Sequence, residues 1–489
     1  MNEISKSAIL AALAAALALT TWLTTPADFT PPPAAGEGAP LMPEFTTPAI
    51  AANLEIVFPE ERTTLTAGQE ITDVSAALGR FELTRETNGW KIASHDRYPA
   101  TALGRLEAAI TNLAAAKTGR AATDQASDYA NLGVASPTAE TVASGAAGVG
   151  RLVKVRDAQG KLLGQLIIGK PVEGSPGQRF VRRPDQRRVY TAGISLDFFS
   201  TNFADWVNPG LLPISSADVE RLTVRDYSAR QRIREVDGQP QLYLADRAQA
   251  TITRAPPQPE GAENSGADQG LLASAPKAWD LTSLQVARSG QYVPATLASV
   301  EELDQDRVER VLEALVAIHI QDVERLPAGE ADDFSAAAAQ RREDLRQALT
   351  ARGFFLDGRD GEPTLLAAGG ELSALLANGV AVTLFFGEAQ GFATASEGAQ
   401  LQRFVRIGVE PSPSANDAEA AEHAREAAAA LREMFAPWIF VIDEETYREL
   451  RPNRAELIRQ RPNAAETGFG LDAFRKLQQE GLRRGKDGR

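Results

Sequence analysis

The pentapeptide QRFVR stands at residues 178 to 182 and again at 402 to 406. A match of that length constrains the fold only if its surroundings recur as well, because an isolated one can arise by accident. Here they do recur. Each copy follows an apolar run ending in glycine, KLLGQLIIGK at 161 to 170 and NGVAVTLFFGE at 378 to 388. Further upstream, Trp90 in NGWKI precedes YPATAL as Trp279 in KAWDL precedes YVPATL. Landmarks repeated in one order predict a duplicated structural unit rather than a reused binding motif.

The elements of each unit follow from residue spacing. Leu103, Leu106, Ile110 and Leu113 step by three and four, as do Val308, Val311, Leu312 and Leu315, so each unit has a helix burying one stripe. Along the pentapeptide, Phe180 and Arg182 face one way and Arg179 and Val181 the other, with Phe404 and Val405 divided alike. Both faces are partly apolar, the pattern of an inner strand. Upstream hairpins are expected to turn at Asn88–Gly89 and at Asp237–Gly238. After the pentapeptide each unit gives one more strand and then a helix start capped by Ser195 or Asp443. Glu444 and Glu445 complement the positive helix end, so the DEE run is read as a cap and not as a catalytic carboxylate cluster.

The predicted fold is therefore α+β: two related units of mostly antiparallel sheet with packed helices, following an N-terminal membrane helix. Residues 7 to 25 carry no charge, Trp22 lies near their outer end, and no small-residue cleavage site precedes Pro26. An uncleaved single-span anchor over 1–25 is expected, with the body outside the cytoplasm. A Pro/Ala-rich linker is assigned to 26–49, the first unit to 50–214, and the second to 215–460 with a flexible insertion at 249–276. A polar tail covers 461–489.

Composition narrows the chemistry. With 65 acidic against 51 basic residues the chain carries a formal charge of -14, which repels polyanions and argues against nucleic acid. Cysteine is absent from the sequence, which removes disulfides and thiol chemistry, and the three histidines, His95, His319 and His423, lie far apart. No cofactor or metal site is expected. The segment GQLIIGK has the spacing of a phosphate loop, but its middle reads as a strand and Pro171 stands where a hydroxyl is needed. Five arginines lie between Arg179 and Arg188. Arg179 and Arg182 recur as Arg403 and Arg406, and these four are the candidate anion or partner contacts, since a guanidinium fork matches carboxylate and phosphate. No catalytic residues are assigned.

NGWKI, YPATALGRLEAAITNL, YANLGVASP from Tyr129 to Pro137, LIIG and QRFVR resemble the bacterial family known as domain of unknown function 4340. In the second unit ARGFFL stands where the YANLGVASP turn would be, a less close match. The resemblance implies a single-span, extracytoplasmic companion of ABC-type transporters of gliding-motility type, on the periplasmic side of the inner membrane, and transfers no catalytic residue. The expected function is thus a non-enzymatic, membrane-tethered binding or scaffold protein whose partners are transporter components or envelope polymers. The alternative is an envelope hydrolase acting on sugars or peptides through carboxylates.

Overall fold

The computed structural model describes residues 36–65, 74–233, 240–256, 278–329, 333–357, 363–394, 398–412 and 418–461. The first unit contributes β1 (Asn53–Leu65), β2 (Val74–Glu86), β3 (Gly89–Ile92), β4 (Tyr98–Pro99), β5 (Ala121–Thr123), β6 (Arg151–Arg156), β7 (Leu162–Pro171), β8 (Gln178–Arg182) and β9 (Val189–Gly193). They pair antiparallel in the order β4-β3-β2-β1-β6-β7-β8-β9-β5.

The second unit contributes β10 (Val219–Ile233), β11 (Pro240–Arg254), β12 (Trp279–Arg288), β13 (Gln291–Pro294), β14 (Glu301–Leu303), β15 (Asp322–Arg325), β16 (Phe354–Asp357), β17 (Thr364–Ala367), β18 (Glu371–Leu376), β19 (Val380–Thr394), β20 (Gly398–Pro411), β21 (Trp438–Asp443) and β22 (Ile458–Gln460). Nine of these form a sheet in the order β13-β12-β11-β10-β18-β19-β20-β21-β15. Strand for strand this is the order of the first sheet, so the duplication read from the sequence is a duplication of topology. Each pentapeptide lies on an inner strand, β8 or β20, as its two-sided apolar pattern requires.

The helices are α1 (Leu103–Ala115), α2 (Tyr129–Leu132), α3 (Ala139–Ala143), α4 (Gln305–Val316), α5 (Ala336–Arg341), α6 (Glu343–Thr350), α7 (Ala418–Phe435), α8 (Glu444–Leu450) and α9 (Arg454–Leu457). In α4 the expected stripe of Val308, Val311, Leu312 and Leu315 is buried. In α1 the stripe shifts: Leu106, Ala109, Ile110 and Leu113 are buried, while Leu103 stands exposed at the first turn.

One continuous core runs through both units. It takes Leu54, Ile56, Phe81 and Leu83 from the first sheet, Leu222, Val224, Leu384 and Ile407 from the second, and the buried faces of α1 and α4 between them. The units are further tied by Tyr98, whose ring lies edge-on to Trp438 at 5.0 Å. Gly210 and Leu211 donate to the Ile318 carbonyl at 3.3 and 3.2 Å, and the end of β1 pairs with β19. On the outer faces, smaller clusters cover each sheet, around Val134, Ile167 and Val189 in one unit and around Phe354, Phe404 and Val441 in the other.

The structure revises several local expectations. Residues 36–49 are not a free linker: Leu41, Met42 and Phe45 are buried, and Leu41 donates to the Ala116 carbonyl at 2.9 Å. The apolar residues within that Pro/Ala-rich stretch are what hold it down. The first hairpin turns at Thr87–Asn88, with Gly89 already in β3 at φ 110°. Strand β11 continues to Arg254, so residues 249–254 are sheet and not insertion. Ser195 caps a short 3-10 turn, Leu196–Phe199, whereas Asp443 caps the α-helix α8 by accepting the Thr446 amide at 2.6 Å. No described helix is long and apolar enough to cross a membrane. The expected anchor at 1–25, the Asp237–Gly238 turn and all but the first residue of the expected tail lie outside the described residues.

Candidate functional site

The recurring arginines sit on matched strands, and each has a fixed local task. In β8, Arg179 donates to the Gly169 carbonyl at 2.9 Å; in β20, Arg403 donates to the Gly387 carbonyl at 2.9 Å. Those glycines mark bulges in β7 and β19, and each packs against a helix end. A Cβ on Gly169 would stand 2.5 Å from the Leu132 carbonyl oxygen, and one on Gly387 would stand 2.2 Å from that of Arg352. The left-handed glycines Gly133 and Gly353, at φ 72° and 81°, end those helices. ARGFFL is thereby the structural counterpart of YANLGVASP, although the two share little sequence.

The second arginine of each pair is buried and holds loop carbonyls. Arg182 donates to the carbonyls of Val134 (3.2 Å) and Gln186 (3.2 Å) and to the Ser136 hydroxyl (2.9 Å), and its guanidinium lies 4.3 Å from the Tyr129 ring centroid. Arg406 donates to the carbonyls of Phe334 (2.7 Å) and Ala436 (2.9 Å). Burial pushes the Arg406 pKa down to about 10, which leaves it charged at neutral pH. Fixing several chain segments from one side chain is a use of the five-donor guanidinium that a lysine does not reproduce.

The first arginines differ in what else they meet. Arg403 makes a two-point pair with Glu444, 3.0 and 3.1 Å, and stacks 3.7 Å from the Tyr447 centroid. Arg179 has no carboxylate partner among the described residues; its charge instead falls near Arg151, which donates to the Phe199 carbonyl at 2.7 Å. Burial, and after it the charge of Arg179, lowers the Arg151 pKa. Two more arginines of the run are paired, Arg183 with Asp185 and Arg188 with Asp124.

Other polar groups became visible only in three dimensions. The carboxylate of Glu55, buried in β1, meets Arg156 at 2.7 Å and both Lys154 and Arg80 at 3.3 Å. Burial alone would raise its pKa; the Arg156 hydrogen bond and the three positive charges outweigh that and hold it below the usual value. In the second unit Glu371 accepts from Arg225 (2.7 Å) and from the Tyr227 hydroxyl (2.9 Å), and Asp226 pairs with Arg247 and Arg451. At the seam, His95 lies between Phe81 and Phe203, with Nδ1 2.9 Å from the Ser94 hydroxyl and Nε2 3.4 Å from Asp322 of the second unit. Burial lowers the imidazole pKa against the pull of Asp322 and Asp96, and burial raises that of Asp322. Asp96 and Arg97 follow in the left-handed region, φ 51° and 64°, which turns the chain from His95 into β4.

The residue types in these clusters are common in the chain, and only strand register brings them together. None was distinguishable by spacing, and comparing the two units position by position was the available signal. The described residues contain no group of three potential metal ligands.

Fold and polar architecture together define a duplicated α+β protein in which repeated arginines organise backbone. Residues 90–341, just over half of the chain, match the family described as Domain of unknown function (DUF4340), and the chain belongs to that family. The match begins at Trp90 in β3 and runs into α5, through the first unit and into the second. No curated protein and no solved structure matches the chain.

Proposed function

We propose that the chain is a non-enzymatic, membrane-tethered binding or scaffold protein on the periplasmic side of the inner membrane, accessory to an ABC-type transporter of gliding-motility type. The observation that carries this reading is the use made of the recurring residues. Arg182 and Arg406 bind loop carbonyls, and Gly169 and Gly387 accept helix ends. What duplication has kept is thus what holds the body together. Two units on one core offer a broad, stiff surface at a fixed distance from a tether. The buried carboxylates Glu55, Asp226 and Glu371 each face cations, as charge partners do, which supports the binding reading over hydrolysis.

Crosslinking in native membranes followed by mass spectrometry tests it. The expected result is a membrane complex that depends on residues 36–461 and sediments with membranes only while residues 1–25 are present. Recovery of monomer alone, with hydrolysis of an envelope sugar or peptide that is lost on changing one buried carboxylate, would replace it with the hydrolase.

A further inference from the structure

The two units differ at one matched place, and the difference has a sign. Arg151 pairs with Ile168, the residue before Gly169; Gly370 takes the same place opposite Phe386, the residue before Gly387, through the bond from the Phe386 amide to the Gly370 carbonyl. Arg151 therefore corresponds to Gly370. Likewise Gln178 pairs with Gly193 and Gln402 with Asp443, so the next residues, Ile194 and Glu444, correspond. Relative to the second unit, the first has gained a guanidinium at Arg151 and lost a carboxylate at Ile194, around the shared Arg179/Arg403 position.

Both changes move the charge in one direction. In the second unit the arginine is neutralised from within by Glu444, and the neighbouring Arg451 is engaged by Asp226. In the first unit Arg151 and Arg179 are both half-buried, each donates to one backbone carbonyl, and neither has a carboxylate among the described residues. Two partly desolvated like charges repel, and an oxyanion between them would relieve that repulsion while accepting from donors that the carbonyls leave over. Both side chains are half-buried and not enclosed, which leaves them within reach of a partner's carboxylate.

We propose that Arg151 and Arg179 form a receptor for a side-chain carboxylate of an acidic partner segment, which supplies from outside the group that Glu444 supplies inside the second unit. This rests on the binding role proposed above and names its chemistry. A carboxylate is favoured over phosphate because the matched arginine already holds one in a two-point pair.

A fluorescein-labelled hexaglutamate peptide titrated into the full chain in detergent, followed by anisotropy, tests the assignment. Saturable binding is expected, weakened about tenfold or more by Arg151→Gln and by Arg179→Gln, the loss that removing one charge-assisted contact brings. Ile194→Glu, which restores the missing carboxylate, is expected to abolish peptide binding while the chain stays folded, with thermal stability lowered by the loss of a core isoleucine. Equal binding by wild type and Arg179→Gln would overturn the site. So would no binding by wild type together with a loss of stability in Arg179→Gln, which would make the pair structural. Inorganic phosphate displacing the peptide at lower concentration than free glutamate would overturn the carboxylate assignment. An intact crosslinked membrane complex without peptide binding would reject this site alone and leave the binding role standing.

Discussion

Arg406 is buried and answers three carbonyls from two segments, Phe334 in one and Ala436 and Trp438 in the other. Replacing it with methionine keeps the volume and removes the donors, so Arg406→Met is expected to destabilise by about 2 to 4 kcal/mol in urea unfolding, the scale of leaving buried acceptors unmet. Glu55 gives the pH-dependent counterpart. Its carboxyl is held below its ordinary 4.5 in the fold, so the stability it contributes is full above that pH and is lost as pH falls through the folded value. Wild type should exceed Glu55→Gln by the most near neutrality, and the gap should close below pH 4.5; a gap constant from pH 7 to 3 would contradict the charge cluster. Neither task was legible in sequence. QRFVR announced a repeated strand, but whether an arginine meets carbonyls, a carboxylate or another arginine depends on neighbours more than 100 residues away in the case of Glu55 and Arg156.

At the scale of elements, sequence and structure agree where periodicity or turn chemistry acts locally. The α4 stripe, the Asp443 cap and the inner placement of β8 and β20 all read directly from residue order. They part where a residue's environment is set by distant strands. Trp90 and Trp279 sit on the matched strands β3 and β12 and face arginines, Arg85 and Arg254, yet Trp279 is wholly buried and Trp90 only half so. Trp279→Ala is therefore expected to cost about 3 to 5 kcal/mol and Trp90→Ala clearly less, by chemical denaturation. Equal losses would mean that the two units bury their tryptophans alike. Residues 36–49 escaped sequence reading for the opposite reason: prolines and glycines interrupt the stretch, and Leu41, Met42 and Phe45 are too few to show a period, though they are buried in the core.

The whole molecule is two copies of one nine-strand topology with a single interior. Tyr98 on Trp438, His95 against Asp322 and the β1–β19 pairing all cross the seam, so the halves are not two beads on a string. The order of elements was legible because duplication states it twice; their fusion was not, because both halves of an interface are ordinary apolar residues in sequence. A stiff fused body is also what the proposed binding role requires, since a partner held at one unit is then held by both. Scanning calorimetry of the chain lacking residues 1–25 is the most direct test of that fusion. One cooperative transition is expected, shifted as a whole by Trp279→Ala. Two transitions, of which Trp279→Ala moves only one, would show that the units fold independently and would contradict their fusion.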